Sequence, residues 1–370
     1  MTTELFIGLM SGTSLDGVDG VLAEIHNGQC RVLAHHAMEM PVALKQELLA
    51  LNTDGPSELH RAALAANALV RLYAQTVEAL LQTSNTQRTD IVAIGAHGQT
   101  VRHQPRMHDG TGYTWQLNNP ALLAELTGIT VVADLRSRDI AAGGQGAPLV
   151  PAFHQGIFGR EHHTVAVLNV GGIANLSVLH ANGDVIGFDC GPGNALMDHW
   201  CQRHTGAPYD AAGHWAAQGQ VIAPLLAQLM QEPFFQHAPP KSTGRDLFHP
   251  AWLIEHLAAF PNAAPVDVQA TLTALTAQAC TNDVQRHAPN AKELIVCGGG
   301  ALNLHLMQSL QQALPSMLVC ASDACGMPAL QVEAAAFAWL AHQAMHGLTG
   351  NLPKATGAKG ARILGGIYKA

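Results

Sequence analysis

Asp189 ends the apolar run Val185-Ile186-Gly187-Phe188 and precedes Gly191-Pro192-Gly193-Asn194 at the entrance to a helix. In an α/β fold that position is the carboxyl edge of a sheet, where ligands bind, and a carboxylate there can take a proton from a hydroxyl or water nucleophile. The plain alternative is an N-cap for the following helix. Turn-forming residues separate Asp189 from the first convincing helical position, which favours chemistry. Asp16 and Asp19 lie within Ser11-Gly12-Thr13-Ser14-Leu15-Asp16-Gly17-Val18-Asp19, where a carboxylate holds Mg²⁺ directly or through water, or else caps a turn. For Asp16 the sequence does not choose between the two. His97, in His97-Gly98-Gln99-Thr100, and Arg136, after an apolar strand, are placed for polar ligands, and Glu333 stands among alanines on a helix, functional or turned to solvent.

Three Gly-rich loops each follow an apolar strand: Gly12-Thr13-Ser14, Gly171-Gly172 and Gly298-Gly299-Gly300. Without a Cβ, backbone N–H groups approach phosphate oxygens closely, and Ser and Thr hydroxyls add donors. Any one of these loops alone reads more readily as a tight turn. Together, two in hairpin turns and a third opening a helix, whose dipole favours an anion, suggest a nucleotide site. The sequence holds no G-x-x-x-x-G-K-[ST], which excludes a P-loop, and its nearest approach to G-x-G-x-x-G, Gly298 to Asn303, ends in Asn.

Periodicity gives the elements that must hold these loops. Leu5 to Met10, Val18 to Ile25 and Cys30 to Met40 read as three hairpin-connected strands, with Asn27-Gly28 as one turn. A helix with Ser57 as N-cap carries Leu69, Val70, Tyr73, Val77 and Leu80 on one face. Strands follow at Asp90 to Gly95, Tyr113 to Leu117 and Ile129 to Ala133, with a helix opening near Pro120. After the Gly-rich stretch Ala141 to Pro148 the order restarts: strands Thr164 to Val170, Ile173 to Leu179 and Val185 to Cys190, with Asn182-Gly183 as a second hairpin turn. Helices are expected over Ala216 to Met230, Val268 to Arg286, Leu302 to Leu310 and Pro328 to His346, and strands over Glu293 to Cys297 and Met317 to Ala321.

A length of 370 residues exceeds what one hydrophobic core usually serves. With 48% apolar and 12% charged residues the chain can bury a core and is not disordered. A net charge of -8 without a Lys/Arg run disfavours nucleic acid and anionic membranes. No segment suits a bilayer span and the start lacks a basic leader, so a soluble cytoplasmic protein is expected. Seven Cys, an odd number, fit reduced thiols. No C-x-x-C or H-E-x-x-H occurs, so zinc is not expected, and most of the 21 His read as solvated surface.

Two lobes, each with three antiparallel strands leading an α/β unit, resemble the sugar kinase, Hsp70 and actin superfamily. More narrowly, Met10 to Asp19, His97-Gly98-Gln99-Thr100, Ala142 to Pro151, Gly187-Phe188-Asp189-Cys190-Gly191-Pro192-Gly193-Asn194 and Lys241-Ser242-Thr243-Gly244-Arg245 look like the anhydro-N-acetylmuramic acid kinases, in matching order along essentially the whole chain. The resemblance implies an α/β fold of two similar ribonuclease H-like lobes, each a five-stranded mixed sheet with helices, with a cleft between them. Residues 1–140, joined by part of the C-terminal helix, would form the N-terminal lobe and 141–370 the C-terminal lobe. It also implies an ATP- and Mg²⁺-dependent enzyme of cell-wall recycling that opens the 1,6-anhydro bond and phosphorylates O6. Asp189 would be the general base. Ser11, Gly12, Thr13, Ser14, Leu15, Asp16, Gly17, Val18 and Asp19 would wrap the nucleotide phosphates, with Asp16 as metal ligand, and Gly171, Gly172, Asn175, Gly298, Gly299, Gly300 and Asn303 would complete the ATP site. His97, Arg136 and Glu333 would bind the sugar. The partners implied are small molecules, and a homodimer is left open. One departure is Asn169, where the wider superfamily often has an acidic residue. An ordinary sugar hydroxyl kinase and a nucleotide-gated binding protein are the competing readings.

Overall fold

The computed structural model describes residues 3–12, 15–26, 28–244 and 247–370. Thr13, Ser14, Asn27 and Arg245 therefore lie outside the described residues. The first part of the chain runs β1 (Glu4–Met10), β2 (Gly17–His26), β3 (Gln29–Glu39), α1 (Val42–Ala50), α2 (Glu58–Ser84), β4 (Ile91–Ala96), β5 (Gln99–Pro105), β6 (Gly112–Leu117), α3 (Pro120–Thr127), β7 (Val131–Ala133), α4 (Ser137–Ala141) and α5 (Val150–Phe158). Then come β8 (Val165–Val170), β9 (Ile173–Leu179), β10 (Val185–Pro192), α6 (Ala195–Thr205), α7 (Ala223–Leu229), α8 (Pro250–Leu257), α9 (Pro265–His287), β11 (Glu293–Cys297), α10 (Leu304–Ala313) and β12 (Leu318–Ala321). The chain closes with α11 (Val332–Met345), α12 (Pro353–Thr356) and β13 (Gly366–Tyr368).

The described residues form two compact units, one ending at Ile157 and taken up again over Gln331–Ala370, the other Phe158–Leu330. The first unit runs past residue 140 to Ile157 and also takes in the chain's last segment, with α11 packed on β1, β2 and β4 and β13 paired with β7.

In the first unit the sheet order is β13-β7-β4-β1-β2-β3. β1, β2 and β3 are antiparallel neighbours, while β1, β4 and β7 run parallel. β1 is apolar on both faces because both are covered. On one side α2 contributes Leu69, Tyr73, Val77 and Leu80 to the core. On the other lies α11, whose alanines let it approach closely. Its seat is a pair of glycines, Gly8 and Gly95, register partners on β1 and β4; a Cβ at either would run into the carbonyl oxygen of Ala334 or Phe337. With Ala334 over Gly8, the His342 ring against Phe6 at 5.4 Å and His346 bonded to Glu4, α11 runs antiparallel to β1. Its first turn, with Glu333, therefore sits at the carboxyl end of β1.

The second unit has the order β10-β9-β8-β11-β12, again an antiparallel trio followed by parallel strands. Each unit is thus an α/β fold around a mixed sheet, of five strands in the second and six in the first, where β13 adds the extra edge. Among the described residues no helix is long and apolar enough to cross a membrane.

Several local expectations differ. Ser57 has a left-handed φ of 52° and its side chain caps nothing, so α2 starts without the expected cap. The helix expected over Ala216 to Met230 is a 3-10 turn, Ala216–Gln218, followed by the short α7, since Gly219 leaves helical geometry and Pro224 suits only a first turn. Gln99 and Thr100 open a strand, β5, that pairs with β6 in a separate hairpin.

Candidate active site

In the second unit Asp189 lies inside β10, opposite Asn175 of β9, and Asn175 is also opposite Asn169 of β8. Directly opposed residues share a face, so Asp189, Asn175 and Asn169 form one polar row across three strands. The strand continues past Asp189 to Pro192 through a bulge at Cys190, followed by Gly191 with a φ of 144°, so Asp189 does not end it. Nor does it cap the next helix: the residue at the N-cap of α6 is Asn194. Instead the carboxylate is held by the segment after α7. The Asp189 N–H donates to the Lys241 carbonyl at 3.0 Å and the Thr243 N–H donates to Asp189 Oδ2 at 2.9 Å. Lys241 is itself anchored. Its Nζ is 2.9 Å from Asp283 Oδ2, with both side chains almost fully buried, and it stands 5.6 and 5.0 Å from the ring centres of Phe188 and Phe234.

The second Gly loop is tied to the helix that follows. Gly193, Asn194 and Ala195 donate to the carbonyls of Gly172, Gly171 and Gly172, and Thr276 Oγ1 of α9 donates to the Pro192 and Gly193 carbonyls at 3.0 and 3.1 Å. Beside it, Gly298 has φ 77° and comes so close to Asn169 Oδ1 that a Cβ would collide. Asn169 Oδ1 is buried beside Gly298 with no hydrogen-bond partner among the described residues. Gly299 and Gly300 start a 3-10 turn, not the α-helix itself. Asn303 caps α10, its Oδ1 accepting the Leu306 N–H at 3.0 Å, which gives it a structural duty beside any ligand contact.

In the first unit the parallel strands β1 and β4 are each followed by a polar residue, Ser11 and His97. Ser11 is buried and its hydroxyl bonds Gln99 Oε1. Gly12 accepts the Leu15 N–H at 3.2 Å, closing the loop. Leu15 and Val18 turn their side chains into the core, so only their backbones are available to a ligand. Asp16 is exposed, 3.5 Å from Lys45 Nζ, and Asp19 Oδ1 lies 3.1 Å from His35 Nε2. Gly17 sits flush against the Met38 carbonyl of β3.

His97 and Arg136 come together. Arg136 Nε and Nη2 lie 3.1 and 2.9 Å from His97 Nε2, and Nη1 donates to the Gly146 carbonyl at 2.8 Å. Burial, then the Arg136 charge, lowers the His97 pKa to about 3, so its Nε2 is a neutral acceptor at neutral pH. Glu333 is half-buried at the same end of the sheet, one helical turn before Phe337, whose ring packs 4.7 Å from His97.

Several residues that build this edge carry no local signal of it. Fully buried Asp139 accepts from Gly146 N–H at 2.8 Å, Thr356 Oγ1 at 2.7 Å and Asn351 Nδ2 at 2.5 Å, holding the Gly143 to Gly146 loop. Arg106 donates to the Gly143 carbonyl, and Tyr73 receives the Gly98 N–H at 3.1 Å. The buried pair of Lys241 and Asp283 is equally hidden, since a lone acid late in an amphipathic helix carries no local signal.

The family model described as Anhydro-N-acetylmuramic acid kinase matches residues 4–370. A protein named anhydro-N-acetylmuramic acid kinase from Variovorax paradoxus (strain S110) is 62% identical over 375 residues, covering 100% of both chains. One of the same name from Albidiferax ferrireducens is 59% identical over 389 residues, again covering 100% of each. Among solved structures, the activator of the 2-hydroxyisocaproyl-CoA dehydratase from Clostridium difficile with bound ADPNP is 14% identical, covering 90% of this chain and 93% of that one, with a TM-score of 0.46. A match from residue 4 to the last residue, with full-length relatives at this identity, has one consequence: the chain belongs to the anhydro-N-acetylmuramic acid kinase family.

Proposed function

We propose that this kinase opens the 1,6-anhydro ring of 1,6-anhydro-N-acetylmuramic acid with water and phosphorylates O6 from ATP, giving N-acetylmuramic acid 6-phosphate and ADP in cytoplasmic peptidoglycan recycling. The observation that carries the reading is the setting of Asp189, a carboxylate on a strand, fixed through the Thr243 N–H and not used as a helix cap. Seven free thiols support the reducing compartment.

Asp189 takes a proton from water as the water oxygen bonds the anomeric carbon. The C1–O6 bond breaks, and the electron pair left on O6 forms the new bond to the γ-phosphorus while the bond to the ADP oxygen breaks. One carboxylate suffices because O6 leaves towards phosphorus and needs no separate proton donor. General bases of this kind contribute roughly 10²–10⁴-fold. Phosphoryl transfer otherwise needs positioning and charge stabilisation. The backbone N–H groups of Ser11, Gly12 and Asp16 to Asp19, and of Gly171, Gly172, Gly299 and Gly300, supply it without cationic side chains, with Asn175 and Asn303 beside them; the Leu15 and Gly298 N–H groups are spent on the Gly12 and Ala329 carbonyls and only shape the loops. His97, Arg136 and Glu333 are assigned to the sugar: the neutral His97 ring and the Gly146 carbonyl fix the Arg136 guanidinium as a rigid donor surface, and Glu333 accepts from hydroxyl or amide.

Mg²⁺ fits Asp16, whose exposed carboxylate offers hard oxygen donors to a cation that keeps most of its water. When bound, the ion neutralises phosphate charge.

The test is ADP release with and without the anhydro-sugar, in the native protein and in Asp189→Asn. Sugar-dependent release that falls about 100-fold or more in the variant, with ATP binding kept, is expected. Release indifferent to the sugar, or a variant of near-native rate, overturns the reading.

A further inference from the structure

At the opposite end of the first unit's sheet from Ser11 and His97, three side chains with no part in the proposed reaction converge. Glu4 opens β1, while His342 and the residue just past the end of α11, His346, lie one helical turn apart. His346 Nε2 is 2.7 Å and His342 Nε2 3.9 Å from the same carboxylate oxygen, Glu4 Oε2. One ligand atom from each residue falls within 4.8 Å of the others, and the two rings stand 4.5 Å apart. We propose that Glu4, His342 and His346 bind a divalent first-row transition ion of the Zn²⁺ type, which staples α11 to β1.

Side chains at i and i+4 share one face of a helix, so both imidazoles reach towards the strand beneath. Two imidazoles and a carboxylate are a donor set that Zn²⁺ accepts, and bonds of about 2.0–2.1 Å in a tetrahedron set ligand atoms roughly 3.3 Å apart. The 2.7 and 3.9 Å separations straddle that spacing, so small ring rotations bring all three to one ion. Glu4 and His342 are partly covered and His346 is more open, which leaves a water-accessible fourth position.

The outer shell points the same way. Gln343 Nε2 donates to the Thr349 carbonyl at 3.1 Å, which turns Gln343 Oε1 towards His342 Nδ1 at 3.2 Å. His342 Nδ1 is then the donor, and in the neutral ring its Nε2 presents a lone pair towards the Glu4 oxygen. Two acceptors facing one space want a cation between them, and a ligating His whose other nitrogen is fixed by an outer acceptor is the usual arrangement around zinc. The sequence speaks against zinc because its ligand motifs are local; this set joins the first strand to one of the last helices.

The test is titration of chelator-treated full-length protein with ZnCl₂ by calorimetry, alongside thermal unfolding, for the native chain and for His342→Ala and His346→Ala. The native protein is expected to take up one ion tighter than about 10 µM. At about 100-fold excess over the dissociation constant its unfolding midpoint rises by roughly 5 °C. Each variant should bind at least tenfold more weakly while its sugar-dependent ADP release shows that it is folded. With CoCl₂, the intense visible bands of a tetrahedral ion should appear in the native chain and be lost in His346→Ala. Absence of a site of that affinity in the native chain, or variants that keep its stoichiometry and affinity, overturns the proposal.

Discussion

Replacing Lys241 by methionine preserves most of the side chain's shape and removes the 2.9 Å partner of Asp283, whose own side chain is only 3% exposed. The remaining cations are poor substitutes: Arg286 Nη1 and His287 Nε2 each lie 4.0 Å from Asp283 Oδ1, Arg286 is largely in solvent, and burial lowers the pKa of His287. Breaking a buried pair by removing one partner costs about 3–5 kcal/mol, whereas exchanging both for apolar residues of similar volume is close to neutral. Lys241→Met should therefore destabilise the second unit by about 3–5 kcal/mol, and Lys241→Met with Asp283→Leu should recover most of that. Urea unfolding followed by tryptophan fluorescence reads the change, since Trp200, Trp215 and Trp252 all lie in this unit. Because the Lys241 carbonyl and the Thr243 N–H fix Asp189, the single variant is also expected to lose kcat more than ATP affinity. A single variant that loses less than about 1 kcal/mol, or a double variant as unstable as the single, would refute the reasoning.

Asp139→Asn turns the acceptor facing the Gly146 N–H into a donor, which should cost about 1.5–3 kcal/mol and raise KM for the sugar, read by unfolding and steady-state kinetics. Buried His97 and His154 both have pKa values lowered to about 3, by burial first and, for His97, also by Arg136. The unfolded chain takes up these protons below about pH 6.5 while the folded one resists, so their contribution is complete above that pH and lost as the pH falls towards 3. By pH 5 the two together should lower stability by about 4 kcal/mol, and a urea midpoint for the first unit that stays flat from pH 6.5 to 5 would contradict this. Gly95→Ala places a methyl against the Phe337 carbonyl and should displace α11, at a cost of about 1–3 kcal/mol in thermal unfolding and with weaker sugar binding through Glu333.

The parts of the structure legible in the sequence are those governed by near neighbours. The apolar runs of β1 and β8, the glycines after them and the helical spacing of Leu69, Tyr73 and Val77 are local patterns, and each corresponds to an element found. The alanines of α11 were visible, but not their reason: they meet Gly8 and Gly95, which sit on strands from other parts of the chain. The short helices α1, α5 and α8 hold too few turns for periodicity to stand out. Ser57 shows the limit of residue type alone, for a good capping residue in left-handed backbone cannot cap. In the candidate site, polarity and placement pointed to Asp189, His97 and Arg136. The groups that hold them, Thr243, the Lys241–Asp283 pair and Asp139, act through folded contacts between distant segments and leave no local mark.

In the proposed reaction one turnover adds both water and a phosphoryl group to the anhydro-sugar, with Asp189 activating the water. Turnover in heavy-oxygen water, quenched before the product's anomeric oxygen exchanges with solvent and resolved by mass spectrometry, tests it most directly. One heavy oxygen at the anomeric carbon, none in the phosphate ester, and loss of both events together in Asp189→Asn are expected. A phosphorylated product that keeps its anhydro ring, or heavy oxygen in the phosphoryl group, would contradict it.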